Sequence, residues 1–364
     1  MNHTINLPSA FFHWKTAKLV GVCPLDGLVY VCGLFEDHSN FVVWKGSPFG
    51  AKSWTLVKQF CLASDLKDVN ESDFFVAFSL DGTQIGVTSF HLSDSGQRLS
   101  YFHLIDLRTT DWHRVSVDCH FYDLAHTRIG WLGCHFERRK RVFRKIDPDM
   151  APVTREVIGL QAEIYAVGPE KIYFFPSSFF TLRGVHSRTL CTVDFCKEPA
   201  EWGEFWPPES ENQNHMGSTL YGYALRKLLT FNGRVYCLEE ALLEGQRGRC
   251  KFYEIITPAQ HNKLFERHLL GQFCLNSSTR LRQDWVSPVV FLRLSERNAK
   301  LCLTLVAHSI PPSLKELSTV AIQKIFSRCE KLGCSDQALT IWSGGIPASE
   351  FKRKFGVFKE DILA

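Results

Sequence analysis

The sequence predicts an all-β protein made of about six repeated units, each a meander of four antiparallel strands over roughly 40 to 60 residues. Three observations predict it. From Leu19 to His308 the chain gives short β-branched and aromatic runs with almost no sustained helical period. Tight-turn dipeptides, Asp26-Gly27, Asp81-Gly82 and Asn232-Gly233, each precede such a run. Gly, Asn and Asp accept the positive φ of short hairpin loops, so these dipeptides join adjacent strands. The third observation is the period: Phe74 to Phe78, Ile85 to Phe90, Leu99 to Leu107 and Trp112 to Val117 make one complete four-strand unit.

The remaining units follow in order. One begins near Leu19 and includes Leu28 to Cys32, Phe41 to Trp44 and Trp54 to Val57; others begin near Asp123, Glu163, Leu220 and Trp285. Radially stacked four-stranded units are the architecture of a β-propeller. This reading gives three segments: residues 1–18 as an N-terminal segment, 19–309 as the propeller and 310–364 as a small C-terminal helical segment.

Composition sets the class. With 364 residues, 45% hydrophobic and 13% aromatic, the chain can fill a real core. The longest apolar runs, such as Phe74 to Leu80, are too short to cross a bilayer, and His13, Lys15 and Lys18 interrupt the start of the chain. No secretion signal, no membrane association and a cytoplasmic or nuclear location are expected. Thirteen cysteines without tight spacing read as reduced thiols; Cys191 with Cys196 and Cys329 with Cys334 lack partners at finger-like distances. Neither a metal nor another cofactor is implied.

The formal net charge is only +4, and one run, Arg138-Arg139-Lys140-Arg141, concentrates positive charge. It reads as an exposed hairpin between Trp131-Leu132-Gly133 and Val142-Phe143, or as a nuclear signal or phosphate-binding patch. Without a broad basic face, no nucleic-acid partner is expected. No phosphate loop, metal-binding helix or nucleophile elbow is present. His113 with His120, or Asp118 with Asp123, are read as solvent-facing strand or loop residues, and no catalytic residue is nominated.

Leu104-Ile105-Asp106-Leu107-Arg108-Thr109-Thr110-Asp111-Trp112 resembles the kelch family, whose blades place an apolar and an acidic residue at the end of the third strand and a tryptophan opening the fourth. Trp44 with Trp54, and Val193-Asp194 with Trp202, echo it at other spacings. The double glycine usual in kelch blades is replaced by the single Gly33 or Gly86. These tryptophans are expected to pack between sheets.

At Ile310-Pro311-Pro312 the pattern changes to helix: Ser313 is a good N-cap, Glu316 its capping-box partner, and Leu314, Leu317, Ala321, Ile322 and Ile325 share a face. Ser313 to Ile322 resembles the first part of a suppressor-of-cytokine-signalling (SOCS) box, the module that joins substrate receptors to elongin C and a cullin. The resemblance implies that Ser313, Leu314, Leu317, Ser318 and Ile322 contact elongin C. Leu314 would be the anchor, and the small Ser318 would permit close approach. Further on, Gly344-Gly345-Ile346-Pro347 keeps two of the four residues of the family's cullin-selecting motif, and Ile346, Pro347, Phe351 and Phe355 become possible cullin contacts. The expected function is substrate recognition for an elongin/cullin-RING ubiquitin ligase, without chemistry of its own. An unidentified protein target would bind the propeller, at loops such as His91 to Gly96 and Glu209 to Gly217. The alternative is a non-catalytic kelch-type scaffold whose tail is a structural helical hairpin.

Overall fold

The computed structural model describes residues 2–7, 17–23, 28–34, 40–46, 54–61, 74–92, 98–149, 154–176, 189–206, 223–231, 234–241, 249–258, 265–274, 280–286, 290–297 and 300–307. Within them the chain is all-β and forms a β-propeller of four-stranded antiparallel sheets. It divides into two compact units, one of Met1–His120, Pro148–Pro152 and Ser278–Ala364, the other of Phe121–Asp147 and Val153–Ser277.

In the first unit, one sheet runs β2 to β5 (Lys18–Val22, Val29–Leu34, Asn40–Gly46, Thr55–Cys61), and the next β6 to β9 (Phe74–Phe78, Gln84–Leu92, Arg98–Asp106, Trp112–Val117). The third is composite: β22 to β24 (Arg280–Val286, Val290–Arg297, Lys300–Ala307) are completed by β1 (Asn2–Asn6), which pairs with β24. Of the expected N-terminal segment 1–18, Asn2–Asn6 is the outermost strand of a sheet begun near the other end of the chain. Consecutive strands make five of the sheets among the described residues, and the composite is the sixth. The first strands of neighbouring sheets lie side by side, β2 against both β6 and β22, as blades of a propeller require.

Burial follows strand position. Every residue of β3 is buried because packed sheets cover both its faces, whereas the outer β5 is mostly exposed or half-buried. Phe41, Phe60, Phe74, Ile85 and Ile105 fill the space between these sheets. Trp112 stacks on Phe60 of the neighbouring sheet, with ring centroids 4.5 Å apart. That is the inter-sheet packing expected of it. Behind it, fully buried His103 meets Ser89 Oγ at 2.9 Å, a polar contact within the core.

Turns are set by side chains as the sequence indicates. Asp81 Oδ1 accepts from Ser79 Oγ at 2.6 Å and from the Thr83 backbone N–H at 3.1 Å, while Gly82 takes the left-handed φ of 70°. Asp106 ends β8 and accepts from the backbone N–H groups of Arg108 and Thr109, and Trp112 then opens β9. The expected helices of 310–364 lie outside the described residues, among which no helix is long and apolar enough to cross a membrane.

The second unit holds three sheets of consecutive strands. They are β10 to β13 (Asp123–Thr127, Gly130–Glu137, Lys140–Ile146, Arg155–Leu160), β14 to β17 (Ala162–Val167, Lys171–Pro176, Leu190–Asp194, Glu201–Trp206), and β18 to β21 (Tyr223–Phe231, Arg234–Ala241, Arg249–Ile256, Glu266–Cys274). Phe143, Leu160, Phe174 and Val193 fill the space between the first two, and Trp202 meets Phe174 edge-on. β14 lies against β18.

Candidate interaction hairpin

The basic run noted in the sequence forms the tip of the β11–β12 hairpin. Glu137 pairs with Lys140, which leaves Arg138-Arg139 as a two-residue loop. Both have positive φ, 46° and 68°, the backbone of a type I′ turn whose twist suits a hairpin. Asn-Gly is the usual occupant of such a turn. A side chain beyond glycine held in the left-handed region costs roughly 1 kcal/mol per residue, so two arginines here oppose stability.

Phe136 to Lys140 are all exposed, Phe136 by 56%. Among the described residues Arg138, Arg139 and Lys140 have no side-chain partner. Glu137 approaches His135 at 3.9 Å. The tip is thus a small cationic point with an aromatic ring beside it.

Its base is fixed. Arg141 Nε donates to the Ala162 carbonyl at 3.1 Å, and its guanidinium lies 5.1 Å from the centroid of the Tyr165 ring. Tyr165 donates its phenolic hydrogen to Asp123 Oδ2 at 2.8 Å, and Phe143 meets the same ring edge-on. Burial, then the charge of Asp123, keeps the Tyr165 phenol protonated well above its ordinary value, so it remains a donor. Burial raises the Asp123 carboxyl, against the opposing pull of the Tyr165 hydrogen bond and of the cations Lys227 and Arg141. Below, burial pushes the Cys134 thiol up to about 11, which makes it inert at neutral pH. Gly133 leaves room for Phe121, whose ring would stand 2.3 Å from a Cβ at that position.

Arg141, Tyr165 and Asp123 therefore hold the hairpin from the first strand of its own sheet and the first strand of the next. Such bracing fixes the base of the hairpin relative to both strands. A guanidinium offers a planar fork of donors matched to carboxylate or phosphate.

The other expected sites fall differently. Ser313, Leu314, Leu317, Ser318, Ile322, Ile346, Pro347, Phe351 and Phe355 all lie outside the described residues, as do the loop Glu209 to Gly217 and residues 93–97. Asp123 was expected to face solvent; the correction is that its carboxyl is desolvated and bound to Tyr165. His120 packs against Phe90, 4.3 Å between ring centroids. Cys191 and Cys196 are free thiols, the first buried and the second exposed. Among the described residues no group of three or more His, Cys, Asp or Glu is placed to hold a metal ion. Phe136 and Tyr165 were not singled out from sequence. Phe136 shares strand phase with buried Cys134 and so reads as inward-facing, and Tyr165 lies 42 positions from the carboxylate it binds.

No family model and no curated protein matches the chain. Solved structures with similar folds include the β-propeller domain of Cps50 (Swd1) from Myceliophteria thermophila, at 11% identity and a TM-score of 0.43, over 84% of this chain and 88% of that one. The β-propeller domain of the trilobed protease of Pyrococcus furiosus gives 11% identity and 0.38, over 80% and 79%. KlAtg21, solved with the coiled coil of AgAtg16, gives 10% and 0.43, over 78% of each chain. At such values the propeller assignment rests on this chain's own strand order.

Proposed function

We propose that this protein is a non-catalytic recognition propeller of the kelch type, acting in the cytoplasm or nucleus as the substrate-recognition subunit of an elongin/cullin-RING ubiquitin ligase. One observation carries the recognition half: the Phe136 to Lys140 tip exposes an aromatic ring and three cations without a side-chain partner among the described residues, on a base fixed by Arg141, Tyr165 and Asp123. Exposed aromatics and arginines are the residue types that dominate binding energy at protein interfaces. The ligase half is supported by the SOCS-box-like pattern of Ser313 to Ile322 and by Ile346-Pro347 with Phe351 and Phe355. The kelch assignment is supported by the layout from Leu104 to Trp112, with Asp106 closing one strand and Trp112 opening the next.

In this reading the propeller performs no chemistry. It binds the target while the tail binds elongin C, and target lysines then sit at high effective concentration near the ubiquitin donor. The test is capture of purified elongins B and C by the full chain and by a chain ending at residue 307. Capture by the first and not by the second supports the reading; equal capture, or none by either, opposes it.

A further inference from the structure

We infer that the β11–β12 hairpin is a docking point for an acidic segment of a protein partner, with Arg138, Arg139 and Lys140 receiving carboxylates or phosphates and Phe136 receiving an adjacent apolar side chain. The inference rests on the recognition reading above and names the chemistry of its partner.

The first ground is the turn itself. Two arginines occupy left-handed positions that Asn-Gly would fill at lower energy. A position that keeps a destabilising residue in a well-braced frame points to a role outside folding. The second ground is charge. The tip carries Arg138, Arg139 and Lys140 beside Glu137, and Glu156 and Lys140 both lie within 4 Å of the Cβ position of Gly159. The run of consecutive cations is four residues long, Arg138 to Arg141. A nucleic acid calls for a row of phosphate contacts over a broad basic face, and an anionic bilayer for several clustered cations beside a larger apolar surface. A short acidic peptide fits a run of this length. The third ground is Phe136, more than half exposed beside the cations, which offers an apolar contact that a purely ionic site lacks.

The experiment uses the full chain and fluorescence anisotropy. The probe is a labelled peptide of aspartates and glutamates around a central leucine; its lysine counterpart, a single-stranded oligonucleotide and phosphatidylserine vesicles are compared with it. Arg138→Asn with Arg139→Gly gives the turn its favoured residues, so its melting temperature should equal or exceed that of the wild type. Its affinity for the acidic peptide should fall about tenfold or more, the scale of one or two lost charge-assisted contacts. Lys140→Gln, at ordinary strand geometry, should show a smaller loss, and Phe136→Ser a loss that salt does not reproduce. The inference is overturned if the acidic peptide fails to bind or binds the double variant unchanged. It is equally overturned if the oligonucleotide or the vesicles bind as tightly as the peptide and lose binding with the same variant. Elongin capture on the same preparations separates the two readings: capture with peptide binding indifferent to the arginines removes only this inference, and arginine-dependent peptide binding without capture removes only the ligase role.

Discussion

The guanidinium of Arg141 lies 5.1 Å from the centre of the Tyr165 ring, and the hydroxyl of that ring donates to Asp123 at 2.8 Å. A cation at the foot of an exposed hairpin is thereby tied, through one aromatic ring, to a carboxylate on another strand. Tyr165→Phe removes the donor and leaves a desolvated carboxylate short of a partner. It should cost about 1 to 3 kcal/mol, measured by urea unfolding.

Asp123 also gives the fold a pH dependence with a defined sign. Burial raises its carboxyl above the ordinary value, so the folded state holds the proton more tightly than the unfolded state. Its contribution is full below the ordinary carboxylate range and is lost as pH rises through the raised value. Asp123→Asn keeps an oxygen for Tyr165 and removes the titration. The melting temperature of the variant relative to the wild type should climb with pH across that window; a difference constant in pH would count against the assignment.

Asp81 acts in the opposite direction. Burial opposes its charge, but hydrogen bonds from Ser79 and Thr83 prevail and hold its carboxyl below the ordinary value. Stability from this turn is present above the unfolded-state value and is lost as pH falls through the folded one. Asp81→Ala should cost about 1 kcal/mol at neutral pH and much less in acid, and calorimetry at the two pH values measures both.

In the sheet β18 to β21, Arg267 meets Glu239 at 2.6 Å, and the Glu239 side chain is only 8% exposed. Burial raises the Glu239 carboxyl, while the charge and the hydrogen bond of Arg267 pull it back. Arg267→Ala should destabilise by about 3 kcal/mol, whereas replacing both residues with Met should cost far less. Equal losses in the single and double variants would show that the ion pair is not what Arg267 supplies.

Much of the propeller was legible locally. The runs Phe74 to Phe78 and Trp112 to Val117 coincide with β6 and β9, because β-branched and aromatic residues between turn residues leave little else for the backbone to do. β1 was not legible. Asn2-His3-Thr4-Ile5-Asn6 has no apolar alternation, and its partner β24 lies near residue 304, so no local pattern announces the pairing. The hairpin was half legible: four consecutive cations marked an exposed tip, but Arg-Arg is not a turn signal. The bracing of that tip spans 21 positions from Arg141 to Ala162 and 42 from Asp123 to Tyr165, contacts that only the fold brings together.

The ligase reading turns on Leu314. If Ser313 to Ile322 is an elongin C helix, Leu314 fills a pocket on the partner, and truncating such an anchor costs about 2 kcal/mol or more, roughly thirtyfold in affinity. If Leu314 is a core residue instead, its truncation costs about 2 to 5 kcal/mol of folding stability. The decisive measurement is co-purification of elongins B and C with Leu314→Ala, read beside thermal unfolding of the same preparation. The account predicts that the elongins are lost while the melting temperature barely moves; retained elongins, or a collapse of the melting temperature, would contradict it.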